Sequence, residues 1–539
     1  MMNTKFVFTL LCSLAFSGLF AQESDVWNPD NGDGTFTNPL INADYSDPDV
    51  CKVGDDYYMT ASSFGCLPGL QILHSKDLVH WKIVSAAIKD YYPNEVWKTR
   101  VQHGNGVYAP SIRYHNGEFF IYYGDPDVGI FMTKTTDPTG EWSPLHLVRE
   151  GKGFIDPCPL WDENGNAYLV HALAASRAKF NSVLMMAPLS KDGTHLLKAP
   201  RIVYDGNSSN PVVEGPKMYK RNGYYYIFAP AGGVSTGWQL VLRSKNIFGP
   251  YEEKIVLAKG DTQVNGPHQG AWVTTNSGED WFFHFQDRGV YGRVVHLQPM
   301  VWKEDWPVIG EDKDGDGCGE PMLRVKKPNI ASTDTYNPQD TDEFESGELG
   351  AQWQWHGLNN PAWVFPDAGR GKLRLYSVPL PEDYKNLASC PNLLLQKFPA
   401  EEFTVTAALE YMSSPKSKSA RDYGGLIVMG YDYATLAFEQ GDKGLFLSMK
   451  TCKGALYGKQ EEIVEQQPMT QGKVFVRVVV EKGGLCQFTY STNGKSFKKI
   501  GTPFQAKRGR WIGAKVGLFL NRTNNSITRM DVDYFRFTK

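Results

Sequence analysis

Charge is scarce in this chain of 539 residues and almost balanced: 56 Lys and Arg face 59 Asp and Glu, and charged residues make up only 21%. The net charge of −3 comes with no basic block, which argues against a phosphate-tracking nucleic-acid surface. Long apolar runs are missing as well. Beyond the first residues nothing approaches the roughly 20 apolar residues of a membrane-spanning helix, so no membrane span is expected. The eight cysteines include no CxxC pair and no His pairing, so neither a zinc cluster nor a disulfide framework is indicated. What the chain has in surplus is rings and turns. Aromatics reach 13%, with 14 Trp and 27 Tyr, beside 53 Gly and 32 Pro. This is the composition of a soluble, turn-rich, mostly β protein with flat surfaces on which sugars can stack.

The N-terminus is the apolar exception. Lys5 precedes an apolar run of 15 residues, 6–20, followed by Ala21, the pattern of a signal peptide over 1–21. The mature protein is therefore expected to be exported, to the periplasm or the medium. Leu11 before Cys12 is not the small residue that a lipid-anchoring signal requires.

A turn glycine followed by a short aromatic strand recurs five times, at Gly54, Gly117, Gly165, Gly223 and Gly278, with spacings of 48 to 63 residues. A second element, seen at Ser75 to Trp81, Thr135 to Trp142 and Ser244 to Tyr251, trails three of the copies and reads as an outer hairpin turn. Units of this size made only of short strands are propeller blades. The fold expected is all-β: a five-bladed β-propeller over 30–328, a polar linker over 329–341, and a β-sandwich of jelly-roll type over 342–539. The run from Glu311 to Glu320 resembles the start of a calcium loop, but its twelfth position from Asp312 is Leu323, where a bidentate Glu is needed. It reads as a turn, and no metal site is assigned there.

In a propeller the innermost strand of each blade lines the central channel, so residues opening that strand sit at its mouth. Seven to ten residues before each turn glycine lie Asp47-Pro48, Tyr108-Ala109-Pro110, Asp156-Pro157, Glu214-Gly215-Pro216 and His268-Gln269-Gly270. Three blades thus present a carboxylate at equivalent places. Three carboxylates around one axis repel one another in a partly desolvated pocket, which favours keeping one protonated near neutral pH. Glycoside hydrolysis needs such a pair, a protonated acid for the leaving oxygen and an ionised base. The longer Glu214 side chain suits the acid, Asp47 the base, and Asp156 the partner that raises the acid's pKa.

The order Tyr45-Ser-Asp-Pro-Asp-Val, Ser75-Lys-Asp-Leu-Val-His-Trp, Tyr108-Ala-Pro-Ser, Phe154-Ile-Asp-Pro, Val213-Glu-Gly-Pro and His268-Gln-Gly resembles glycoside hydrolase family 43 over about residues 36 to 325. The resemblance implies a five-bladed propeller that inverts configuration, with Asp47 as base, Glu214 as acid and Asp156 as pKa modulator. It further implies substrate contacts at Phe64, Tyr108, His268 and Arg293. Tyr108 stands where many members have Trp before Ala-Pro, which affects sugar stacking in the first subsite. His268 falls on a histidine that in relatives faces a calcium or water in the channel, so a structural calcium near His268 is an expectation, while no cofactor is needed for the chemistry.

The leading functional expectation is an exo-acting glycosidase removing terminal α-L-arabinofuranose from plant cell-wall polysaccharides or oligosaccharides, with β-D-xylose as runner-up. A fructan-cleaving propeller is disfavoured because Ser46-Asp47-Pro48-Asp49 and Glu214-Gly215 replace its Asn-Asp-Pro-Asn and Glu-Cys motifs. A non-catalytic sugar-binding propeller has no use for the full trio of carboxylates. Exo action calls for a wall on one side of the channel mouth, and the rings of Trp353, Trp355, Trp363 and Phe365 in the second domain are the candidates.

Overall fold

In the computed structural model, which describes residues 24, 26–89, 100–413, 422–525 and 527–539, the chain is all-β. The proposed signal peptide lies outside the described residues. Among the described residues no helix is long and apolar enough to cross a membrane. Five four-stranded antiparallel sheets follow one another, beginning with Asp49–Val53, Tyr108–His115, Phe154–Trp161, Lys217–Arg221 and Trp272–Thr274. Within each sheet the strands pair in chain order, which is the arrangement of a propeller blade built from consecutive hairpins.

The repeated glycines fall where the first strand of each blade turns into the second. Two of these turns are Asn116-Gly117 and Asn222-Gly223, with φ of 48° and 85° and of 50° and 77°. Two successive positive φ values make the type I′ turn whose twist matches the flanking strands, and Asn followed by Gly is its preferred pair. The trailing elements form the outer turns of blades one, two and four. In the first, the Asp77 carboxylate accepts the Val79 and His80 backbone N–H groups at 2.9 and 2.8 Å and Trp81 is fully buried.

Among the described residues the four strands of each blade are consecutive in the chain. The ring is closed by Thr35–Thr37 pairing antiparallel with Arg324–Lys326 and by a bridge between Ile41 and Val295. Residues after 328 do not hang free. The Gln339 amide exchanges two hydrogen bonds with the backbone of Ile83, at 3.1 and 3.2 Å, so the connection is laid along the outer strand of the first blade.

The second domain stacks two eight-stranded sheets. Its strand Lys473–Glu481 alternates buried valines with more exposed residues along its whole length, the period-2 pattern of a sandwich face. The sandwich docks on the propeller through backbone as well as side chains. Leu67 and Trp355 pair through both N–H groups, Gln354 donates to the Pro68 carbonyl at 2.9 Å, and Gln71 donates to the Ala351 carbonyl at 2.7 Å. Lys397 lies 4.0 Å from the centre of the Tyr45 ring. Burial, and then the neighbouring Lys515, push its amine down to about 7.

Candidate active site

Each innermost strand is entered through one residue with positive φ: Asp47 (56°), Ala109 (34°), Asp156 (57°), Gly215 (58°) and Gln269 (35°). Four are followed by proline and the fifth by Gly270. Asp and Gly tolerate this backbone, whereas Ala109 and Gln269 occupy it under strain, which the surrounding blades hold in place. In blades two and three the strand breaks register with its neighbour at this point, between Tyr108 and Ser111 and between Ile155 and Cys158. The freed proline carbonyls find other donors: Pro110 accepts from Lys217 Nζ at 2.5 Å and Pro157 from Ser111 Oγ at 2.7 Å.

This five-fold device corrects one detail of the sequence reading. Asp47 and Asp156 are equivalent, but their counterpart in blade four is Gly215. Glu214 stands one residue earlier, in register with His268 of blade five, and the two side chains meet, with His268 Nε2 3.1 Å from Glu214 Oε1. The shift also lets the Gly215 N–H donate to Asp156 Oδ2 at 2.7 Å, linking the second and third carboxylates.

Asp47 is the most heavily solvated by protein. Its Oδ2 accepts from both Ser46 Oγ and Ser62 Oγ at 2.6 Å, and Arg293 Nη1 lies 3.3 Å from Oδ1 while donating to Ser46 Oγ at 2.8 Å. Ser62 Oγ is itself held by the Ala109 N–H at 2.7 Å. Hydroxyl and guanidinium donors favour the ionised carboxylate. Asp156 is in the opposite condition. It is 4% exposed, and burial, then the Glu214 and Asp47 charges, hold its carboxyl well above the usual range. The cluster therefore retains a proton at pH values where an isolated carboxyl has lost it, and that proton belongs to the coupled group.

Arg293 thus joins the site directly, as do Glu214 and His268. Phe64 is 2% exposed and sits behind Tyr108, edge to face at 5.2 Å, so the ring nearer the mouth is Tyr108. The calcium expectation meets a poor donor set at His268. Its Nε2 faces one carboxylate and its Nδ1 is buried without a partner, whereas calcium takes six to eight oxygens. Among the described residues the one grouping of three acidic side chains close enough to share an ion is Asp312, Asp314 and Asp316, on the turn already noted, where Asp312 pairs with Lys303 at 3.0 Å.

The ring that borders the mouth from the second domain is Trp511, which the sequence reading missed. Trp353 and Trp355 are instead buried in the sandwich core, with Trp363 packed against it, and Phe365 meets Tyr376 edge to face. Trp511 lies 5.7 Å from the Arg293 guanidinium and its indole neighbours the Tyr108 hydroxyl, so it lies between blade five and blade two. A signal existed in Gly509-Arg-Trp-Ile-Gly513, an aromatic between two glycines. Gly513 is needed because a side chain there would strike the Tyr291 carbonyl and the Gly292 nitrogen, at 2.7 and 2.8 Å. Ser46 and Ser62 were also missed as site residues, though both lie within conspicuous motifs.

The family model of glycosyl hydrolases family 43 matches residues 36–307, and that of the beta xylosidase C-terminal concanavalin A-like domain matches 341–538. A putative beta-xylosidase of Xylanibacter ruminicola is 39% identical, covering 90% of this chain and 86% of its own. The non-reducing end alpha-L-arabinofuranosidase BoGH43B of Bacteroides ovatus is 30% identical, covering 78% of this chain and 79% of its own. The crystal structure of the BlXynB protein from Bacillus licheniformis superimposes with a TM-score of 0.80 at 25% identity, over 93% of this chain and 99% of that one.

Proposed function

The chain belongs to glycoside hydrolase family 43, and from that premise we propose that it is an exported, exo-acting, inverting β-D-xylosidase working on plant cell-wall oligosaccharides or polysaccharides. The observation that carries the catalytic part is the contrast within one constellation, where donors surround Asp47 while burial and the nearby Glu214 and Asp47 charges hold the Asp156 carboxyl well above its usual range. In this mechanism Asp47 takes a proton from water as that water attacks the anomeric carbon. Glu214, its Oε1 oriented by His268, gives its proton to the glycosidic oxygen as the carbon–oxygen bond breaks. Arg293 and the two serines hold the Asp47 carboxylate in position to receive the proton. Asp156 and Glu214 repel one another's charge, which opposes ionisation of both together.

The choice of xylose reverses the order expected from sequence and rests on the relative named a putative beta-xylosidase at 39% identity. The relative named an arabinofuranosidase keeps α-L-arabinofuranose as the second reading. Comparing kcat/KM on nitrophenyl β-D-xyloside and nitrophenyl α-L-arabinofuranoside decides between them. With the xyloside, NMR at early times should show α-xylose as the first product. First appearance of β-xylose would rule out Asp47 as a base for water. Export is supported by the pattern over 1–21, and a processed N-terminus on the purified extracytoplasmic protein would test it.

Exo action assigns a job to Trp511, closing one side of the mouth. Trp511→Ala should lower kcat/KM on xylobiose by about tenfold, mainly through KM, as expected for loss of a ring contact. The full protein should release monosaccharide from the first minutes. Early oligosaccharides from the unmodified enzyme would show an open cleft.

A further inference from the structure

The propeller channel has a second mouth. Three consecutive residues from each innermost strand, 50–52, 113–115, 159–161, 218–220 and 272–274, line a cavity of about 470 Å³. It begins three residues beyond Asp47, Asp156, Gly215 and Gln269, about 10 Å along each strand. Between the two mouths lies a plug of side chains with no exposure: Asp49, Ser111, Cys158 and Lys217. A molecule in the far cavity cannot reach the catalytic carboxylates.

Its lining is unusual in two respects. Flat rings are plentiful: Trp161 stacks on His115 at 4.7 Å and 10°, Trp272 meets the edge of Tyr219 at 5.1 Å, and Tyr114 is 44% exposed. Its charge is of one sign. Lys52, Arg113 and Lys220 line it, and among the described residues no lining side chain is a carboxylate. Arg113 is anchored from behind, with Nη1 on Asp49 at 2.5 Å and Nη2 on Cys158 Sγ at 3.0 Å, and its Nε is buried without a partner. Lys52 Nζ contacts the neutral Asn276 amide, and Lys220 pairs with Glu163 outside the cavity. Rings with cations and no acids suit a ligand with an apolar ring face and a negative group, and the volume falls within the range of small-ligand pockets.

We propose that this far mouth binds an acidic sugar, a hexuronate carried on an oligosaccharide, and so holds substituted substrate away from the catalytic mouth. The sugar class rests on the glycosidase reading, whereas the cavity and its charge do not.

The test uses the full chain carrying Glu214→Gln, so that no ligand is consumed, titrated calorimetrically with a hexuronate-bearing xylo-oligosaccharide, its neutral counterpart of equal length, and inorganic phosphate. The acidic oligosaccharide should bind and should not be displaced by excess free xylose. Adding Lys52→Glu or Tyr114→Ala should weaken it about tenfold or more. Two variants are used so that one folding failure, seen in the melting curve, leaves the other to decide. With the catalytic mouth filled by excess xylose, equal binding of the neutral oligosaccharide, equal binding of phosphate, displacement of the acidic oligosaccharide, or full affinity in both folded variants would each overturn the proposal. Hydrolysis of nitrophenyl pentosides by the unmodified protein tests the glycosidase reading separately, so the two can fail independently.

Discussion

Asp47→Asn should reduce turnover of every glycoside by about 10³ to 10⁴-fold, aryl glycosides included, because an amide cannot take the proton from attacking water whatever the leaving group. The fold should survive the change. Asn accepts the positive φ of 56° that this position requires, and its side-chain oxygen can still receive the Ser46 and Ser62 hydroxyls. Glu214→Gln should behave differently. Substrates with poor leaving groups, such as xylobiose, should lose about 10² to 10⁴-fold, and nitrophenyl glycosides far less, since an activated phenolate departs with little protonation. Equal losses across leaving groups in Glu214→Gln would remove it from the role of acid. A leaving-group dependence in Asp47→Asn resembling that of Glu214→Gln would exchange the two assignments.

The parts of this molecule that were legible in the sequence are those fixed by short spacings. A glycine turn sets where one strand ends and the next begins, so five copies of Gly followed by an aromatic strand located five blades, and distance back from each turn located Asp47, Asp156 and Glu214. The same reasoning was blind to a one-residue offset. Glu214 and Asp156 occupy different registers because the positive-φ position in blade four went to Gly215, a choice of backbone conformation that spacing alone does not reveal. Contacts between distant parts of the chain were harder still. Aromatic richness singled out Trp353 and Trp355, yet both rings fill the sandwich core, because apolar area is as useful inside a domain as at a mouth. Trp511 reaches the site only because Gly292 and Gly513 let two backbones approach, a tertiary fact. Closure of the ring by Thr35–Thr37 and Arg324–Lys326 joins segments nearly 290 residues apart, and three-residue strands of ordinary composition carry no mark of their partner.

Replacing Asp156 with Asn should make the protein more stable and a worse enzyme at once. In the native protein burial, then Glu214, then Asp47 raise this carboxyl far above its value in an unfolded chain. The native state therefore holds the proton more tightly than the unfolded state, and as pH climbs from near 4 toward the native value, stability from this group falls. Asn carries no charge to bury and accepts the φ of 57°, and its carbonyl oxygen can keep the Gly215 N–H bond. Melting temperatures should accordingly show Asp156→Asn above the unmodified protein at pH 8, with the gap closing as pH approaches about 4. Activity should move the other way, with kcat/KM down by about 10² to 10³-fold. The alkaline limb of the pH profile should shift to lower pH, because the cluster has lost one of the charges that hold its proton. A purely structural aspartate would give neither the pH-dependent gain in stability nor the displaced limb. A variant that melts lower than the parent at pH 8 with an unmoved limb would show that Asp156 supports the fold and leaves the acid untouched.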